Sequence, residues 1–146
     1  MSPHKLLQEY LESDPWKIFV ACIFCNLTSR KTAEPHFWKT INRWKTPQQL
    51  ASADDNELKQ ILKNIGLTER RCKALKAMSH DYINKDWKDD PSKLYGIGKY
   101  GSDAYYLFCT DKWTIVEPKD YALKLYKQWL ESIEKDIYSY AELSMC

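Results

Sequence analysis

Glycine and proline are scarce, at 4 and 6 of 146 residues. That scarcity excludes collagen-like and low-complexity chains and leaves most of the length open to helix. No stretch approaches the roughly 18 consecutive apolar residues of a membrane span, and the N-terminus has no signal-like hydrophobic core. No membrane partner is therefore expected. Strand signals are nearly missing, with Trp113-Thr-Ile-Val116 the one short β-like run. Neither sign of charge dominates: 22 Lys and Arg stand against 20 Asp and Glu, for a net +2, too mild by itself to demand a nucleic-acid partner. The 5 cysteines are an odd number in a chain without a secretory signal, which predicts reduced thiols in an intracellular protein rather than a disulfide scaffold. Cys22 and Cys25 form a CxxC inside the apolar run from Ile18, with no second CxxC and no ligand-spaced histidine pair. Core packing is the expected role, with neither metal nor cofactor.

What is present is a chain that is 44% hydrophobic and 29% charged, enough for one soluble globular domain over residues 1–146. Apolar spacing and cap residues predict the helices. One covers Pro3 to Glu12. Asp14-Pro15 opens a buried helix through Cys25. Ser29 caps a third that reaches Trp44, with Ala33, Phe37, Trp38 and Ile41 inward. Ser52 or Asp54 opens Glu57 to Asn64, which Gly66 ends, and Thr68 caps Glu69 to Ile83. A helix begins near Gly98 and runs through Cys109, and another spans Asp120 to Ile133. The expected class is all-α.

Charge is distributed unevenly. Between Leu58 and His80 lie Lys59, Lys63, Arg70, Arg71, Lys73 and Lys76 against Glu69 alone, just after the acidic Asp54, Asp55 and Glu57. Such a block is either a solvated face or a track for phosphates. The segment Leu94-Tyr-Gly96-Ile-Gly98-Lys99-Tyr100-Gly101 bears on that choice. Two glycines around one aliphatic residue permit a tight hairpin whose backbone N–H groups stand open at a helix N-terminus, where they bind anions.

Together with Val116-Glu-Pro118-Lys119-Asp120, this hairpin resembles the helix-hairpin-helix DNA glycosylases. Leu7-Gln8-Glu9, Asp14-Pro15-Trp16-Lys17 and Gly66-Leu67 extend the likeness across nearly the whole chain, toward the glycosylase domains of the methyl-CpG-binding domain protein 4 family. That family removes thymine or uracil mispaired with guanine. The resemblance implies a monomer acting in base excision repair in the nucleus, on double-stranded DNA with a mispaired T or U.

It also implies roles for residues. Asp120 is the catalytic carboxylate held beside C1′ of the flipped nucleotide, although an Asp at a helix start also reads as a plain N-cap. Tyr100 stands where bifunctional relatives carry a nucleophilic lysine, which implies a monofunctional enzyme that uses water and packs Tyr100 on the flipped pyrimidine. Gln8 reads the pyrimidine edge. Leu67 is the wedge that fills the vacated space. Gly96, Gly98, Lys99, Gly101, Arg70, Arg71 and Lys119 contact DNA phosphates. Leu27 replaces an arginine common in the family near the opposite base, so Leu27 and Arg30 are the opposite-base candidates. Ala122 replaces a basic residue. The cysteine-rich tail of endonuclease III-like members is absent, since only Cys146 follows Cys109, so no iron–sulfur cluster is expected. No methyl-CpG-binding module fits in this length. Two other readings stay open: a non-catalytic DNA-binding domain that keeps the hairpin, and a glycosylase of the same fold with another base choice.

Overall fold

The computed structural model describes residues 1–145, with side chains through Leu143; Cys146 lies outside the described residues. Among them are α-helices, short 3-10 turns and no strand.

The helix Pro15–Cys25 (α1) is the centre. Asp14 accepts the Lys17 N–H at 3.2 Å and Pro15 occupies the first turn, so the helix starts where the sequence predicts. Eight of its 11 residues are buried. An α-helix apolar on every face must be covered on every side, and the others do this. Arg30–Arg43 (α2) is capped by Ser29 and lays Ala33, Phe37 and Ile41 inward. Pro47–Ala51 (α3) and Asp55–Leu62 (α4) add Leu50, Leu58 and Leu62, and α4 is capped by Asp54. Thr68–Asn84 (α5) and Lys99–Cys109 (α6) pack directly on α1. Tyr121–Met145 (α7) touches α6. An aromatic cluster joins three of these elements: Phe19 of α1 meets Tyr82 of α5 edge-on at 6.4 Å and Tyr105 of α6 stacked at 5.7 Å, with Trp87 from the loop after α5 edge-on at 5.4 Å. The Trp16 indole N–H donates to Ser79 Oγ at 3.0 Å, tying α1 to α5 through two buried residues.

The structure departs from the expected elements in five places, the short helix α3 at Pro47–Ala51 being one that no expectation covered. The predicted helix at Pro3–Glu12 is a strap with a single 3-10 turn at Leu7–Tyr10. The Glu9 carboxylate accepts from Ser2 N–H, Ser2 Oγ and Leu6 N–H, while Lys5, Glu12 and Ser13 take left-handed backbone. These local bonds outcompete a helix too short to stand alone. Thr68 does not cap α5; Leu67 holds the cap position in left-handed conformation with no side-chain bond. The β-like run is a 3-10 turn at Trp113–Ile115, since among the described residues no strand offers it a ladder partner. Finally, α7 outruns its predicted end at Ile133, and its distal half is exposed. No described helix is long and apolar enough to cross a membrane.

Removing the hydroxyl of Ser79 strands the Trp16 N–H in a dry environment. An unpaired buried donor costs about 1–3 kcal/mol. Ser79→Ala is therefore expected to lower the midpoint of thermal unfolding by roughly 3–10 °C, as read by circular dichroism. A shift under one degree contradicts the pairing.

Candidate active site and nucleic-acid interface

The glycine hairpin builds one half of the site. The Ile97 N–H bonds the Leu94 carbonyl at 3.1 Å, and both side chains are buried. Gly96 turns the chain with φ 79°, a region that costs a side-chain-bearing residue about 1 kcal/mol. The first helical bond of α6 runs from the Ser102 N–H to the Gly98 carbonyl at 3.0 Å. The N–H groups of Lys99, Tyr100 and Gly101 consequently have no partner among the described residues. With the helix dipole behind them they are donors of the kind that suit an anion. A Cβ on Gly98 would meet nothing within 4 Å, so the space above it is open. Gly101 keeps its N–H open, and its lack of a side chain serves packing. It is buried, and a Cβ there would lie 2.9 Å from Ile97 Cγ2. Its missing side chain lets α6 close on the hairpin, and it offers an anion only its N–H. Lys99 pairs with Asp103 at 2.9 Å and keeps about half its side chain exposed.

Two concavities meet at Tyr100. A cleft of about 360 Å³ runs between the hairpin, the start of α5 and the end of α1. Leu67, Arg70 and Gly98 line it. On the other side of Tyr100 lies a pocket of about 400 Å³ bordered by the N-terminal strap and the start of α7. Three of the residues singled out from the sequence, Gln8, Tyr100 and Asp120, line this one pocket. Gln8 is buried, at 4% exposure. Its Nε2 donates to Tyr100 Oη at 2.9 Å and faces Cys22 Sγ at 3.9 Å, which leaves Oε1 without a partner among the described residues. Burial pushes the Tyr100 phenol well above its usual range and the Cys25 thiol up to about 11. Both are neutral at physiological pH, and neither is an activated nucleophile. Asp120 is exposed at the pocket mouth. Its Oδ2 accepts the Leu123 N–H at 3.0 Å, capping α7. Its other oxygen has no partner among the described residues.

The basic block does not form one phosphate track. Helices α4 and α5 pack together, so carboxylates answer part of it: Lys76 pairs with Asp55 of the acidic run, and Lys59 with the block's own Glu69 at 3.0 Å. Lys73 lies over the Tyr95 ring at 5.3 Å. Arg70 is exposed on the cleft, and Lys119 is exposed beside Asp120. Arg71 corrects an expectation. It is 3% exposed, and both terminal nitrogens are committed to acceptors within the protein, so it has no Nη donor left for a phosphate. Of the opposite-base candidates, Leu27 projects outward at 77% exposure with φ 60°. Arg30 is turned away from it, bonding Glu34 at 2.9 Å and the Lys5 carbonyl on the pocket side. The structure does not bring these two together. Leu67 stands at the cleft, 46% exposed with φ 50°.

Sequence reasoning missed Cys25 and Tyr121 as pocket-lining residues, and assigned Arg30, which also lines the pocket, to the opposite base. It also missed Arg71 as an internal tie, because the acceptors of a buried guanidinium are mostly backbone carbonyls and leave no trace in residue types. For Tyr121, adjacency to Asp120 was the available signal.

The geometry agrees with comparison to known proteins. The model of the HhH-GPD superfamily of base excision DNA repair proteins matches residues 20–143. A methyl-CpG-binding domain protein 4-like protein of Arabidopsis thaliana is 31% identical over 129 residues, covering 88% of this chain and 29% of that protein. A thymine/uracil-DNA glycosylase of Pyrobaculum aerophilum is 26% identical over 106 residues, 68% of this chain and 46% of the other. A thymine-DNA glycosylase of Aeropyrum pernix is 29% identical over 95 residues, with 60% and 42% covered. The chain thus spans less than half the length of each of these relatives. With the model matching from α1 into α7 and the glycine hairpin inside the match, the chain belongs to the HhH-GPD superfamily of base excision DNA repair proteins.

Proposed function

We propose that the chain is a monofunctional DNA glycosylase that excises thymine or uracil mispaired with guanine, acting on double-stranded DNA in the nucleus. The observation that carries this reading is the convergence of Gln8, Tyr100 and Asp120 on one pocket, next to the open N–H groups of the hairpin. The hairpin, Arg70, Lys99 and Lys119 hold the phosphate backbone. The target nucleotide swings out of the duplex at a cost of a few kcal/mol, least for a mispair. Leu67 fills the space it leaves. In the pocket the base packs on Tyr100, and the unpartnered Oε1 of Gln8 accepts from the N3–H that thymine and uracil carry. Cytosine presents a lone pair at N3 and is refused by the same oxygen.

Cleavage breaks the bond between C1′ and the base nitrogen, with the electron pair leaving on the base. Positive charge develops on the sugar, and the free oxygen of Asp120 stabilises it. Water then adds to C1′ and gives its proton to Asp120. Leu27 has no donor with which to read the opposite guanine, so this demand is weaker than an arginine there would make it. The relatives named for thymine or uracil support the base class.

Asp120→Asn is expected to lower single-turnover excision from a G·T or G·U duplex at least a hundredfold. Asn is an equally good helix cap, so the unfolding midpoint and duplex affinity should stay close to the parent's. Excision within tenfold of the parent removes Asp120 from catalysis. Gly98→Ala places a methyl where the hairpin must approach phosphate. Because that position is open within the protein, folding should be unaffected while affinity for matched and mismatched duplexes falls together, by about tenfold. Unchanged affinity moves the phosphate elsewhere. In a borohydride trapping experiment with a uracil duplex, no covalent adduct is expected, since Tyr100 has no amine with which to form a Schiff base. A robust adduct identifies an amine nucleophile and ends the monofunctional reading.

A further inference from the structure

Two exposed leucines, Leu67 at the cleft and Leu27 next to the cleft-lining Asn26, stand in left-handed backbone, a conformation that strains a bulky residue without burial in return. Leu27 sits in the turn after α1, and Leu67 in the turn before α5. Both turns end on the same side chain. Arg71 Nη1 donates to the carbonyls of Ile65 and Gly66 at 2.9 and 2.8 Å. Its Nη2 donates to the Asn26 carbonyl at 2.7 Å and to Thr28 Oγ1. Each nitrogen serves one turn, and each turn receives two bonds. The guanidinium is planar and rigid, so it sets the spacing of the two turns as well as their presence. No carboxylate pairs with Arg71 among the described residues, so its bonds serve the turns and not a counter-ion.

The geometry points to Arg71 as a positioning residue that locks Leu27 and Leu67 into a paired apolar wedge, one leucine from each turn, for prising a base from the duplex. This inference rests on the base-flipping reading above. A buried arginine that served stability alone would have no need to end on the two turns that display leucines. Lysine keeps the charge but not the fork: one ammonium on a flexible stem cannot hold two separated pairs of acceptors at fixed spacing.

The test uses a G·T duplex with 2-aminopurine beside the thymine and protein carrying Asp120→Asn, so that unstacking is read without excision. At saturating protein, Arg71→Lys is expected to lose at least half of the fluorescence rise of the parent. Leu27→Ala and Leu67→Ala should each lose a comparable part. Adding Arg71→Lys to the double leucine variant should change nothing further, because the arginine acts through those leucines. Thr28→Val, which removes one acceptor and leaves Arg71 intact, should give a smaller loss and guards against misfolding of Arg71→Lys. In DNA-free protein, hydrogen exchange should show the amides around residues 26–28 and 65–67 losing protection together in Arg71→Lys. A full fluorescence rise in Arg71→Lys, or a loss equally large without the leucines, overturns the positioning role while leaving base flipping intact. No rise in the parent overturns both, and exchange in the two turns then shows whether the clamp itself exists.

Discussion

Helix α1 has no polar face, and the rest of the molecule is arranged to keep water off it. Ile18, Phe19, Val20, Ala21 and Phe24 are fully buried, which requires partners around the full circumference: α2, α5, α6 and the N-terminal strap. Burying such a helix stabilises the fold by about 25 cal/mol for each Å² of apolar surface removed from water. The same enclosure sets the site. Because α1 is held on all sides, its C-terminal end delivers Cys22 and Asn26 to the cleft and Cys25 to the pocket at fixed places. The elements that cover it bring the remaining parts: Gln8 from the strap, Arg70 and Arg71 from α5, and Tyr100 from α6.

The two halves of the site differ in electrical character, and Tyr100 divides them. On the hairpin side the protein presents positive ends: three open N–H groups, Lys99 and Arg70. On the other side burial keeps the phenol of Tyr100 and the thiol of Cys25 protonated and neutral, and the Arg30 guanidinium there is paired with Glu34. The carboxylate of Asp120 stands at its mouth. In the proposed reaction the first side attracts the polyanion, and the second takes the neutral base with the cationic sugar.

Arg71 shows how a charge in the sequence can end with a different task. On residue type it belongs with the phosphate contacts. Its place in the first turn of α5 instead points it at the ends of two turns, where four oxygens take both of its terminal nitrogens. Lys59 and Lys76 are similarly diverted, to carboxylates that pack opposite them. What remains for an outside anion is smaller than the basic block suggests and lies closer to the hairpin.

Residue spacing is sufficient for the parts of this protein that rest on local chemistry. Asp14-Pro15 opening α1, Ser29 capping α2, Asp54 capping α4 and Gly98 opening α6 all depend on bonds within a few residues, and each is legible in the order of the residues. The hairpin is legible for the same reason, because glycine is the residue that tolerates its backbone. Tertiary structure alone decides the rest. Gln8 meets Tyr100 across 92 positions, and Arg71 reaches Asn26 across 45. The strap at residues 3–12 reads as helical because its leucines have helical spacing, yet the Glu9 carboxylate and packing on α1 hold it otherwise. Gly101 and Gly98 look alike in the sequence. Only the packing of Ile97 shows that one makes room inside the protein and the other leaves room outside it. Long-range contacts are selected by which surfaces the covered helix leaves available, and that choice involves the whole chain at once.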